Sequence, residues 1–159
     1  STGEPVPREE MPALLADFFA SDVDTLDPVT GAAEALAALS ARDCQIVVLS
    51  NVPFERRTAR AKHLRGHGMD YQVVANQGLK GPAVARLAER VDAPVAFLDD
   101  IPHNIASVAR AHEPTRRVHF IADERLAKLI PPAEHSHHHT TQWDEARAYL
   151  EAWLKEGAG

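Results

Sequence analysis

Val95-Ala96-Phe97-Leu98 is a short apolar run that ends on two adjacent carboxylates, Asp99 and Asp100. A run of this kind, bounded by turn residues, reads as a buried strand, so both acids stand where that strand would leave a sheet. Like charges a few ångströms apart raise each other's pKa, and desolvation adds to the cost of keeping both ionised. A bound divalent cation removes the conflict. Hard oxygen ligands suit Mg²⁺, which keeps most of its waters and takes one or two carboxylates together with a phosphate. The plainer alternative is an acidic turn that caps the next helix.

Two other places along the chain carry groups of complementary chemistry. Ile46-Val47-Val48-Leu49 is followed by Ser50 and Asn51, a hydroxyl and an amide that can hold an anion. Lys80 stands in Gly78-Leu79-Lys80-Gly81, ahead of a helix that Pro82 opens. In open α/β sheets ligands gather at the carboxyl ends of the strands, which is where all three groups are expected. A hydroxyl, an ammonium and a carboxylate pair with its cation would suffice for phosphoryl chemistry: metal and lysine offset phosphate charge while the hydroxyl orients it. Taken singly, Ser50-Asn51 reads equally well as a helix cap and Lys80 as a solvated loop residue.

Alternating strands and helices must position these groups. Met11, Leu14, Leu15, Phe18 and Phe19 have helical spacing and predict an amphipathic helix over 8–20. Thr30 is a candidate cap for a helix carrying Ala32, Leu36 and Leu39. The 46–49 strand follows, then a basic helix over 54–66, a strand over 71–75, a helix from Pro82, and the 95–98 strand. A helix over 102–112, a strand over 117–121, a short helix over 123–129 and a final helix from near Thr141 complete the chain. Pro131 to Thr140, rich in histidine, reads as a surface loop. The alternation predicts an α/β fold, a Rossmann-like and mostly parallel sheet with helices on both faces.

Composition narrows the function classes. A chain of 159 residues supports one domain with a real core. Its net charge of −6 argues against a broad nucleic-acid surface and leaves a small metabolite as the expected partner. No apolar run is long enough for a membrane helix, the start carries no signal-like segment, and the single Cys44 rules out an internal disulfide; the cytoplasm is the expected location.

Val-Val-Leu-Ser50-Asn51, Gly-Leu-Lys80-Gly-Pro and Phe-Leu-Asp99-Asp100-Ile-Pro-His-Asn104-Ile, in that order, resemble the second, third and fourth motifs of the haloacid dehalogenase-like (HAD-like) superfamily. The resemblance spans roughly residues 25–122. It implies a HAD-like hydrolase in which Ser50 bonds the transferring phosphoryl group, with Asn51 beside it, and Lys80 stabilises charge shared by phosphate and nucleophile. Asp99 and Asp100 would hold Mg²⁺, and Asn104 would either fix their loop or simply start the helix. The implied activity is that of a Mg²⁺-dependent phosphatase acting on a small phosphorylated metabolite through an aspartyl-phosphate. Reaction type rests on analogy, since the fold hosts other chemistries.

The family's nucleophile lies in an Asp-x-Asp motif ending its first strand, and the reading above assigns no such strand. The nearest match, Asp22-Val23-Asp24-Thr25, follows a predicted helix. The missing strand would be central, between those ending at Ser50 and Asp99. Three accounts stay open: a nucleophile strand upstream of residue 1, a catalytically inactive relative serving as a binding or interaction module, or use of Asp22 and Asp24. On the first, 1–24 would be a helical segment, the end of a small cap, and 25–159 the HAD-like core.

The remaining features have ordinary explanations. His135, His137, His138 and His139 could bind a transition metal, but a solvated loop accounts for them. His103 could contact substrate or simply stand near a helix start, Arg56, Arg57 and Arg60 could attract an anion but read more plainly as a solvated helix face, and Cys44 has no basic neighbour that would make it a nucleophile. A response-regulator-like receiver also uses adjacent acids, yet it places them after its first strand and its lysine after its last, unlike the order here.

Overall fold

The computed structural model describes residues 12–16 and 29–157. Six strands form one all-parallel sheet: β1 (Ala13–Ala16), β2 (Gln45–Ser50), β3 (Gln72–Ala75), β4 (Val95–Asp99), β5 (Arg116–Phe120) and β6 (His138–Thr140). Their order is β3-β2-β1-β4-β5-β6. Six helices connect or follow them: α1 (Ala32–Ser40), α2 (Arg57–Gly66), α3 (Gly81–Ala88), α4 (Pro102–Ala111), α5 (Glu124–Leu129) and α6 (Trp143–Gly157). The expected α/β, Rossmann-like architecture is therefore present. Among the described residues no helix is long and apolar enough to cross a membrane.

Both sheet faces are covered, and the strands supply each face by strict alternation. Leu14, Val48, Ala96 and Leu98 point into a core shared with Leu36 and Leu39 of α1, Leu64 of α2 and Leu150 of α6. Leu15, Val47, Leu49, Val95 and Phe97 point the other way, onto Ala83, Val84 and Ala88 of α3 and Ile105 and Val108 of α4. A strand buried on both faces needs apolar residues at every position, which is why 46–49 and 95–98 are unbroken runs. Each fully buried side chain of this size, such as Leu15 or Phe97 at 0% exposure, contributes about 1.5–3 kcal/mol relative to remaining in water.

Three expectations are corrected. Residues 13–16 are a strand, not part of a helix, and that strand fills the central position that the sequence reading left without an occupant: β1 pairs with β2 through Leu15 and Val47 and with β4 through Leu15 and Phe97. The four residues Ala-Leu-Leu-Ala gain two ladders of backbone hydrogen bonds there, and tertiary pairing overrides the helical propensity of Ala and Leu. The rest of the predicted 8–20 helix, apart from Pro12, lies outside the described residues, as do Asp22 and Asp24. The histidine-rich segment is not all loop, because His138–Thr140 pairs with β5 as an edge strand. Gly31, not Thr30, stands at the N-cap of α1, without a side-chain cap bond.

Candidate functional site

Sheet order reverses between β1 and β4. The chain steps from β1 outward to β2 and β3, then returns to the other side of β1 as β4. At such a point the connections leave in opposite directions and open a crevice beyond the carboxyl ends of the strands. Asp99 is the last residue of β4, and Ser50 is the last of β2. With one strand between them and neighbours spaced by about 4.8 Å, their backbones lie about 10 Å apart across the mouth of the crevice.

Lys80 enters from the N-cap of α3 and closes on Asp99. Its Nζ donates to Asp99 Oδ2 at 2.8 Å, with the two side chains only 4% and 2% exposed. Asp99 Oδ1 accepts from the Ile101 N–H at 2.8 Å. Asn104 Nδ2 makes long contacts of 3.4 and 3.5 Å to the two oxygens. Asn104 also accepts from the Lys80 N–H at 3.2 Å, so one buried amide ties the lysine's backbone to the aspartate's side chain. Its own N–H donates to the Ile101 carbonyl at 3.0 Å, so the residue stands in the first turn of α4 while its side chain contacts the acidic loop. Both oxygens of Asp99 thus face a donor or a cation, as a buried carboxylate requires.

The loop that delivers Lys80 is anchored from β2. Asn51 Nδ2 donates to the Gly78 carbonyl at 3.1 Å, Asn76 Nδ2 donates to the same carbonyl at 3.1 Å, and Asn76 also donates to Asn51 Oδ1 at 2.8 Å. Gly78 has φ +77, a left-handed conformation that side chains disfavour. Asn51, expected beside the substrate, therefore uses its amide to shape the loop that carries the lysine. Ser50 is buried at 1% exposure, and its carbonyl accepts from the Asn76 N–H at 2.8 Å. Asp100 is exposed beside the buried Asp99, and His103 is exposed in the next turn.

Helix packing fixes the lysine from below. The Gly81 N–H donates to Ser107 Oγ at 3.0 Å. A Cβ at Gly81 would lie 2.3 Å from the Ser107 carbonyl oxygen, so only glycine lets α3 approach α4 this closely.

His119, on β5, is fully buried and reaches the same loop: its Nε2 lies 3.0 Å from the Asp100 carbonyl oxygen. Burial pushes its imidazole below the ordinary 6.5; the Asp100 carbonyl and Asp99 oppose that shift, and His139 adds to it. The histidine-rich segment 135–139 is tied to β5 and α6 by both main-chain and side-chain contacts. Arg117 donates to the His135 carbonyl at 2.7 Å, its N–H donates to His137 Nδ1 at 2.9 Å, and His138 stacks on Tyr149 at 4.2 Å. Among the described residues no group of three or more His, Cys, Asp or Glu side chains is arranged to hold a metal ion. Arg60, expected on a solvated face, is buried, whereas Arg56 and Arg57 are exposed.

Sequence reasoning missed Ser107, Asn76, His119 and β1. Only β1 had a usable signal: Ala13–Ala16 is an apolar run that stops at a carboxylate, Asp17, as 95–98 stops at Asp99. The chain matches no protein-family model, and no curated protein matches it as a relative.

Proposed function

We propose that the chain hydrolyses a small phosphate monoester at the carboxyl rim formed by Ser50, Lys80, Asp99 and Asp100. The observation that carries this reading is the buried Lys80–Asp99 pair at the reversal of sheet order, with Nζ and Oδ2 2.8 Å apart. A lysine held by a carboxylate and a main-chain bond needs no reorganisation when charge develops on a phosphoryl group, which is the condition for electrostatic catalysis.

The nucleophile in this reading is Asp17, replacing the expectation of an aspartate upstream of residue 1. β1 ends at Ala16, and Asp17 is the next residue in the sequence. Asp17 lies outside the described residues, so the assignment rests on its place in the sequence alone. A carboxylate oxygen of Asp17 would attack phosphorus while the ester P–O bond breaks, its electron pair leaving with the alcohol oxygen, which takes a proton from water. A water molecule would then attack phosphorus, break the aspartyl-phosphate bond, lose a proton and release inorganic phosphate.

Mg²⁺ fits this rim through Asp100 more readily than through Asp99, whose oxygens face Lys80 Nζ and the Ile101 N–H, each at 2.8 Å. When bound, the ion would shield the charge of the incoming phosphate. Phe19 stands two positions beyond Asp17, where the Asp-x-Asp pattern has its second acid. A phenyl ring cannot protonate a leaving oxygen, so esters of acidic alcohols such as phenols should turn over fastest. Dinucleotide binding, the other common use of this strand order, is disfavoured because Asp17-Phe18-Phe19-Ala20-Ser21 contains none of the glycines that a pyrophosphate needs after the first strand.

The test is Mg²⁺-dependent hydrolysis of para-nitrophenyl phosphate by the purified chain. Turnover should fall by about a thousandfold or more in Asp17→Asn and be lost with EDTA. Turnover unaffected by Asp17→Asn would move the nucleophile elsewhere. Thermal stabilisation by inorganic phosphate without turnover would favour the inactive binding module, and neither response would end the phosphate reading.

A further inference from the structure

The peptide unit joining Asp100 to Ile101 is held at both ends. Its N–H donates to Asp99 Oδ1 at 2.8 Å, and its carbonyl oxygen lies 3.0 Å from His119 Nε2. The protonation of His119 follows from its partners. The Ala133 N–H, which can only donate, lies 2.9 Å from His119 Nδ1, so Nδ1 accepts and the proton sits on Nε2, facing the Asp100 carbonyl. His139 Nδ1, 3.2 Å from the same Nδ1, can then act only as a donor. A fully buried imidazole thus fastens the acidic loop after β4 to the segment that leads into β6.

We propose that His119 is a positioning residue for Asp100: by clamping the 100–101 peptide against Asp99, it fixes the direction in which the Asp100 side chain leaves the backbone. A peptide plane pinned at its N–H and its carbonyl cannot rotate, and that rotation is the freedom that would swing the Asp100 Cα–Cβ bond across the rim. The contact reaches across neighbouring strands, since Asp99 and His119 are register partners. A residue that orients a ligand without touching the cation acts as an outer-shell partner. The functional half of this inference rests on the reading of Asp100 as the carboxylate that meets Mg²⁺.

Two variants separate the bonds of His119. His119→Gln keeps an N–H donor at the reach of Nε2 and loses the acceptor for Ala133; His119→Asn keeps an acceptor near Nδ1 and loses the donor to Asp100. Amide hydrogen exchange at Ile101, followed by NMR without metal, should accelerate about tenfold or more in His119→Asn and stay near wild type in His119→Gln. The Mg²⁺ concentration giving half-maximal turnover of para-nitrophenyl phosphate should rise about 10- to 100-fold in His119→Asn only. A purely structural role would instead make both variants follow their loss of thermal stability. Equal exchange at Ile101 in the two variants overturns the proposal. Selective exchange in a protein whose wild type shows neither turnover nor response to Mg²⁺ would leave the clamp standing and remove the phosphatase reading.

Discussion

Asp99, the last residue of β4, and Asp123, three residues past the end of the neighbouring β5, begin with the same local chemistry. Each accepts at Oδ1 from the main-chain N–H two residues on, Ile101 and Arg125, at 2.8 Å in both cases. Each also has a cation nearby. For Asp123 the cation is its own neighbour Arg125, at 3.5 Å and 92% exposed, and the carboxylate serves as the N-cap of α5. For Asp99 it is Lys80, delivered by another element, at 2.8 Å and 4% exposed. Local sequence makes the turn in both places. What separates a helix cap from a candidate site is a distant partner and the exclusion of water, which raises the strength of the ion pair and the cost of breaking it.

The largest expected effect tests that difference directly. Lys80→Met leaves a buried carboxylate without its cation and should lower stability to urea by about 3–5 kcal/mol, whereas Arg125→Ala should leave stability unchanged within error because exposed pairs contribute little. Adding Asp99→Leu to Lys80→Met should recover much of the loss, since an apolar pair of similar volume avoids the desolvation penalty. Phosphatase activity should stay absent in the double variant. Equal urea midpoints for Lys80→Met and Arg125→Ala would erase the contrast between the two aspartates.

Next in size is the helix contact beneath Lys80. Gly81→Ala sets a methyl group 2.3 Å from a main-chain oxygen of Ser107, a neighbour that cannot swing aside. Forcing α3 from α4 should cost about 1–3 kcal/mol and displace the lysine from Asp99. Urea titration gives the first effect and the activity assay the second. Full stability in Gly81→Ala would show that the two helices can separate without strain.

Much of this arrangement was legible in the sequence because buried strands announce themselves. The runs 46–49 and 95–98 are apolar at every position and end on Ser50 and Asp99, so fold class and two rim positions followed from composition and order alone. β1 escaped because Leu14, Leu15, Phe18 and Phe19 satisfy helical spacing, and a four-residue strand offers too few positions for its own period to compete. β6 escaped for the opposite reason: His138, His139 and Thr140 show no apolar signal, as an edge strand paired on one side need not. The role of Asp99 was hidden in another way. Two adjacent acids suggest a cation, but whether that cation is a metal or a lysine depends on a tertiary distance. Asn51 was read as a substrate contact for the same reason, since its bond to the Gly78 loop cannot be seen along the chain.

Cys44 supplies for comparison a buried thiol set near charges of both signs, Asp43, Arg42 and Glu151. Burial, reinforced by Asp43, pushes its thiol from the ordinary 9.0 up to about 11. Because the folded value lies above the unfolded one, the contribution is fully present below pH 9.0 and is lost as pH rises toward about 11. Alkylation of the native chain at pH 8 should therefore be slow and become fast on unfolding in urea. Rapid native labelling would mean that the thiolate is stabilised after all.

Asp123 gives the smallest effect, with the opposite sign. The Arg125 N–H, helped by the Arg125 side chain and the Leu126 N–H, holds its carboxyl below the ordinary 3.8. A depressed folded value means that the cap is present above the unfolded pKa and lost only as pH falls through the folded one. α5 should thus fray at strongly acid pH, seen as faster exchange of the Arg125 and Leu126 amides, while Asp123→Asn, which keeps a capping oxygen, should lose that acid dependence. The contrast with Asp99 sharpens if fraying stays within α5. Cooperative loss of β4 in the same pH range would show instead that the two aspartates share one structural unit, and that the exposed cap is coupled to the buried pair.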